Sequence, residues 1–176
     1  QPLKTAANYR HFLARLKRLP VWVDQAIANM RQGIAAGITL PKPLVERLLP
    51  QFDSLLPADS GKSPYLEGVR AFPDCIAEKD RQQIAREYEQ VVARSVTPSV
   101  RKLRTFLVEN YLPNARTTSG LGGLPGGAEW YRALVRRYTT TDITAAQLHA
   151  LGLKEVDRIR GEMETVKAKF GYDGAL

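Results

Sequence analysis

The sequence predicts an all-α protein: an array of antiparallel helical hairpins with one long kinked helix and a glycine-rich loop. Apolar residues recur every three or four positions along most of the chain, the spacing that lines one face of a helix. No stretch of about four to eight residues alternates apolar and polar with β-branched enrichment, so strand structure is confined to a possible short piece near Ile38. No repeat with a period of roughly 20–50 residues is present, which excludes a solenoid. The chain reads as a single helical domain, 1–176, comprising a lead-in at 1–56, a loop at 57–64, a long helical tract at 74–111, a glycine-rich loop at 112–127 and C-terminal helices at 128–170.

Residues 5–19 place Tyr9, Phe12 or Leu13, Leu16 and Leu19 on one helical face. Pro20 closes that helix and can open the next, because its fixed φ and missing N–H cost nothing in a first turn. Val23, Ile27, Met30 and Ile34 continue the pattern to Gly37, and two such stripes across a short joint predict an antiparallel hairpin. Pro41 and Pro43 open a third helix with Leu44, Leu48, Phe52 and Leu55 apolar, which Pro50 should kink or split. The run PADSGKSP at 57–64 is turn chemistry throughout, and a short helix follows through Tyr65 and Val69 to Phe72.

The long tract carries Ile84, Tyr88, Val91 or Val92, Val96, Val100, Leu103 and Leu107 in one stripe, and Pro98 predicts a kink within it. The last helix is written out from cap to stop. Thr144 with Gln147 forms a capping box, and Leu148, Leu151 or Gly152, Val156, Ile159, Met163, Val166 and Phe170 share a face. Gly171 supplies a left-handed end.

Composition removes several function classes. No apolar run approaches the roughly 20 residues of a membrane span. A net charge of +8 would suit an anionic partner, but Lys and Arg alternate with Glu and Asp along the helices, as in Lys154-Glu155-Val156-Asp157-Arg158, which reads as solvated helix faces and not as a nucleic-acid surface. The densest basic run is Arg101-Lys102-Leu103-Arg104. The single cysteine, Cys75, allows no internal disulfide and reads as a buried thiol. With two histidines, His11 and His149, neither followed by Glu, the chain has no defensible metal site and no catalytic residue of its own.

The glycine-dense stretch Ser119–Gly127 fails the tests of a phosphate-binding loop, since Gly127 is followed by Ala128-Glu129 and no strand precedes it. From its residues it reads as a tight connector; that its backbone lines a groove for an extended peptide is what the family resemblance given below implies. The groove candidates are Gly122, Gly123, Leu124, Gly126 and Gly127, followed by Trp130, Tyr131, Arg132 and His149. Trp130 and Tyr131 are about 100° apart on a helix. Packing into a core is the simplest reading for both, and the alternative sends one inward and the other towards the groove. Arg132 could grip a carboxylate, as could Arg136 and Arg137, or stand on a solvated face. His149 reads as a partly buried, hydrogen-bonded histidine. Thr139, Thr140, Thr141, Asp142 and Thr144 read as caps for helix N-terminal amides.

The run LGGLPGGAEWYRALVRRYTTTDITAAQLHALGLKEVDRIRGEM, residues 121–163, resembles the bacterial family known as domain of unknown function 885, and residues 8–56 resemble the lead-in of the same family. The Leu-Pro-Gly-Gly turn, the Trp-Tyr pair, the Thr-Thr-Thr-Asp cap and Leu-His-x-Leu-Gly-Leu occur in the family's order. The resemblance implies a zinc metallopeptidase-like protein of the gluzincin type, several hundred residues long, whose histidine-glutamate helix lies downstream. It therefore implies that this chain is an N-terminal helical fragment forming part of the wall of a substrate cleft. Its partners would be the missing C-terminal part of the same chain and a peptide substrate, zinc would sit in the parent protein, and the location would be the bacterial envelope as a periplasmic protein or lipoprotein. The alternative is a freestanding helical protein-interaction module without enzymatic activity. The two differ in one visible respect: a fragment should leave an apolar surface exposed beside the glycine loop.

Overall fold

The structure, a computed structural model, describes residues 3–58 and 60–175; Asp59 of the expected loop and the terminal Leu176 lie outside the described residues. It is all-α, with no strand among the described residues. The stretch near Ile38 contributes only to an isolated parallel bridge between Pro41 and Arg116. Two compact units divide the chain, Gln1–Ser119 and Gly120–Leu176. No helix among the described residues is long and apolar enough to cross a membrane.

In the first unit, α1 (Ala6–Lys17) starts on Thr5, whose hydroxyl accepts from the Asn8 amide at 3.3 Å while the Asn8 side chain answers to the Thr5 amide. It buries Tyr9, Leu13 and Leu16, the expected face. One residue, Arg18, joins it to α2 (Leu19–Ala35), in which Pro20 occupies the first turn. Here the expected hairpin does not form. Arg18 keeps right-handed helical dihedrals, so the chain bends but cannot reverse in one residue. α1 and α2 instead run alongside the long tract in the same sense: Arg10 pairs with Asp80, Asp24 with Lys102 at 2.7 Å, and the Leu40 amide donates to the Tyr111 hydroxyl at 3.0 Å.

The third helix, α3 (Lys42–Ser54), contains Pro50 and is not split by it. A proline there removes one helical bond and leaves the rest of the ladder to carry on. The residue α3 buries is Val45, fully enclosed, while Leu44 faces solvent. The loop then tightens into short 3-10 turns, Ser60–Lys62 and Pro64–Val69. Cys75 is exposed and not buried as its residue type suggested; its thiol donates to the Lys4 carbonyl at 3.3 Å.

The long tract is α4 (Glu78–Val91) followed by α5 (Thr97–Phe106), and it bends as expected, although at two places. Each bend is a widened π turn, Val92–Val96 and Leu107–Tyr111. Each ends two residues before a proline, Pro98 or Pro113, and in each the amide just before the proline bonds five residues back, Thr97 to Val92 and Leu112 to Leu107. A proline ring clashes with the carbonyl four residues earlier, and one extra residue in the preceding turn relieves that clash without ending the helix.

Two apolar clusters fill this unit. In the first, Tyr9, Leu13 and Leu16 of α1 meet Ile84, Tyr88, Val92 and Val96, with Leu66 and Ile76 closing it. Its polar groups are satisfied in a chain: the Tyr88 hydroxyl donates to the Tyr9 carbonyl and the Tyr9 hydroxyl to the Gly68 carbonyl, both at 2.9 Å. In the second, Val23 and Ile27 of α2 and Val45 of α3 pack on Leu103, Phe106, Leu107 and Tyr111.

The second unit holds a 3-10 turn at Leu121–Gly123, α6 (Gly127–Thr139) and α7 (Ala145–Lys169). α7 begins on the expected capping box, Thr144 with Gln147, and ends before Gly171, whose φ is 61°. Its apolar face is nevertheless uncovered. No residue of the 25-residue helix is buried, and Val156, Ile159, Met163, Val166 and Phe170 are exposed.

Candidate functional site

The glycine-rich stretch folds back on the start of α6 within the second unit. The Gly123 amide donates to the Gly120 carbonyl at 3.2 Å, Leu124 to Leu121 at 3.0 Å, and Gly127 to Leu124 at 2.8 Å. Two glycines are required by this path. Gly126, the cap of α6, is left-handed at φ 66°, and a side chain on Gly127 would collide with the Leu121 carbonyl. Two others are not: a Cβ on Gly120 or Gly122 would meet nothing within 4 Å.

Those two unconstrained glycines border a cleft of about 540 Å³. That volume lies inside the range of roughly 300–1,000 Å³ usual for ligand sites. Leu121 and Gly122 form one side, Ala128, Tyr131 and Arg132 of α6 another, and Asp142–Ala145 before and at the start of α7 the third. Ala128, Tyr131 and Arg132 share a face because they are spaced i, i+3, i+4. Trp130, one residue off that register, is exposed elsewhere on α6, so neither aromatic residue packs into a core.

Of the nine expected groove residues, the structure brings Gly122, Tyr131 and Arg132 to the cleft. Gly123, Leu124, Gly126 and Gly127 shape the loop without lining it, Gly127 being buried under Leu121. His149 is exposed and its imidazole makes no hydrogen bond among the described residues, which corrects its reading as partly buried and bonded: it stands on the second turn of a helix that has no cover.

The threonine run also has a different duty from the one expected. Only Thr144 caps α7. Thr139 donates its hydroxyl to the Val135 carbonyl at 2.9 Å and accepts from the Thr141 amide at 3.3 Å, so it closes the C-terminal end of α6. Thr140 sits at φ 56°, a left-handed conformation that costs a β-branched residue on the order of 1–3 kcal/mol. That turn carries the chain into the Asp142–Ala145 wall of the cleft. Asp142 is held by Arg136 at 3.3 Å, whereas Arg132 makes no ion pair among the described residues. Sequence reasoning missed Asp142, Ile143 and Ala145 as cleft residues because nothing local says that a post-helix turn will fold back against a glycine loop.

The cleft therefore offers apolar walls from Leu121, Ala128 and Ile143, a glycine without side chain at Gly122, and the Arg132 guanidinium, which makes no ion pair among the described residues. It offers no zinc site: no group of three or more His, Cys, Asp or Glu among the described residues is placed to hold a metal ion.

The family model for a bacterial protein of unknown function, DUF885, matches residues 1–176. No curated protein matches the chain. Among solved structures it is similar to one from Colwellia psychrerythraea described as a "putative lipoprotein", with a TM-score of 0.85 and 20% sequence identity over 99% of this chain. The chain spans 30% of the length of that protein, and at this identity the likeness is one of fold.

Proposed function

The chain belongs to the bacterial DUF885 family of unknown function, and from that premise we propose that it is the N-terminal helical part of a longer zinc-peptidase-like hydrolase. In this reading it forms one wall of a substrate cleft, and catalysis is supplied by residues outside it. The observation that carries the proposal is the cleft beside Gly120 and Gly122, where glycine is demanded neither by φ nor by packing within the chain. The missing side chain at Gly122 leaves room for a second backbone to approach, and an extended peptide could lie there and pair through main-chain N–H and C=O groups. The apolar walls would take a side chain, and Arg132 would take a carboxylate in bidentate fashion.

Zinc, where the longer protein holds it, would polarise a scissile carbonyl and activate water; the residues of this chain bind and orient the substrate. An envelope location follows the same resemblance.

The test uses the natural gene product. Chelator-sensitive hydrolysis of a peptide library is expected. Gly122→Val and Arg132→Ala should raise KM about tenfold or more with kcat little changed, as befits groups that hold substrate and do not react. A gene product that binds no zinc and cleaves no peptide would sink the reading, and the freestanding interaction module would take its place.

A further inference from the structure

α7 presents an apolar face that nothing among the described residues covers. Val156, Ile159, Met163, Val166 and Phe170 recur at alternating steps of four and three and are all exposed. Towards the N-terminus the face widens to Leu151 and Leu153, also exposed, around Gly152. A glycine inside a helix is less favourable than alanine, yet a Cβ on Gly152 would meet nothing within 4 Å, so nothing among the described residues requires it. Gly161, on the opposite face, is equally open and is not explained by what covers the stripe. Near the C-terminal end a groove of about 450 Å³ runs between Ile159, Met163, Val166 and Tyr172.

The edges of the stripe are charged, with opposite signs. Counting Val156, Met163 and Phe170 as one column and Ile159 and Val166 as the other, Glu155 and Glu162, both paired with Arg158 of the same helix, flank one side, and Arg160 and Lys167, the latter paired with Glu164, flank the other; an incoming helix would share or exchange these surface pairs. Contiguous apolar surface rimmed in this way marks an interaction surface.

We propose that this face seats an amphipathic helix from the part of the same polypeptide outside residues 1–176. Its backbone comes close at Gly152, with basic side chains along the Glu155–Glu162 edge and acidic ones along the Arg160–Lys167 edge. The occupant is chosen on length and shape. The match covers only 30% of the solved protein whose fold this chain shares, and a face that broadens at one end suits the core of a larger domain. A second copy in parallel would match the charges, Glu155 with Arg160 and Glu162 with Lys167. Its strict seam, Val156 to Phe170, is nevertheless shorter than the three to four heptads, roughly, of a self-sustaining zipper, and it would stack His149 on His149. The inference rests on the longer-chain part of the proposed function and is independent of zinc or peptidase activity.

Hydrogen exchange of the full-length gene product decides it. Amides of α7 are expected to exchange roughly 100-fold or more slowly than those of a free helix. Gly152→Leu should remove at least tenfold of that protection, while Gly161→Leu on the opposite face leaves it in place. The charge reversal Glu155→Lys with Glu162→Lys should weaken protection as Gly152→Leu does, and serves if the latter does not accumulate. Unprotected α7 amides in the unmodified protein, equal effects of the two glycine variants, protection that tracks dimer formation in sedimentation, or a gene product ending at Leu176 would each overturn it. Full protection in a protein without zinc or peptidase activity would leave this inference standing and remove the hydrolase reading.

Discussion

The two units are written in the same helical code and end in opposite states of burial. In the first, α1, α2, α3 and the long tract cover one another's stripes, and Tyr9, Val23, Val45, Tyr88, Val92 and Val96 are almost wholly enclosed. In the second, Val135 is the one buried large apolar side chain among the described residues, although α7 is the longest single helix among them and carries a regular stripe. Capping does not distinguish them, since α1 and α7 both carry complete capping boxes. The difference is one of partners. A stripe states which face must be covered, and a unit of two helices and a turn has too little surface to cover it.

The sharpest way to break this contrast is to truncate equivalent large side chains in each unit. Tyr88→Ala removes a fully buried ring and the donor to the Tyr9 carbonyl, and should cost about 3–5 kcal/mol in chemical denaturation of the first unit. Met163→Ala, an equally regular stripe position on α7, should cost under about 0.5 kcal/mol in the same chain. Equal losses would mean that α7 is covered after all.

A second test uses alkali. Burial, then the neighbouring Tyr9, pushes the Tyr88 phenol up to about 12 from its ordinary 10, and burial alone raises Tyr9 and Tyr65. The folded unit therefore holds protons that the unfolded chain releases. The stability this linkage contributes is whole below pH 10 and is lost as the pH rises towards 12, on the order of 2 kcal/mol for Tyr88. Denaturation midpoints of the first unit should fall over that window, followed by tyrosinate absorbance.

Smaller effects sharpen the second unit. Thr140→Gly should stabilise α6 and its turn by about 1 kcal/mol, because glycine takes φ 56° without the clash of a branched side chain. A loss of stability would show instead that the Thr140 hydroxyl bond to the Thr139 carbonyl outweighs the strain. Thr144→Ala should lower the helicity of α7, seen by circular dichroism, at a cost of about 1 kcal/mol.

How much was legible follows the same division. The stripe of α1, the capping box at Thr144 and the stop at Gly171 were readable because each is set by residues within one or two turns. So was the bend of the long tract at Pro98, though not the π turn that absorbs it, nor the second bend before Pro113. The burial of Val45 in preference to Leu44, the exposure of Cys75 and the bareness of Trp130 and His149 were not readable, since each depends on which distant surface arrives. Within the candidate site Gly122, Tyr131 and Arg132 came forward through the family resemblance and helical register. So did Trp130 and His149, which the cleft does not use.

By itself, then, the sequence determined that this protein is helical, where its final helix begins and ends, and which faces seek cover, because those properties arise from backbone hydrogen bonding and side-chain period over short separations. Only the tertiary structure decided that α1 and α2 lie alongside the long tract without reversing, that Gly120 and Gly122 border a cleft, and that α7 stays bare. Those outcomes turn on contacts between residues tens of positions apart, whose geometry no local pattern encodes.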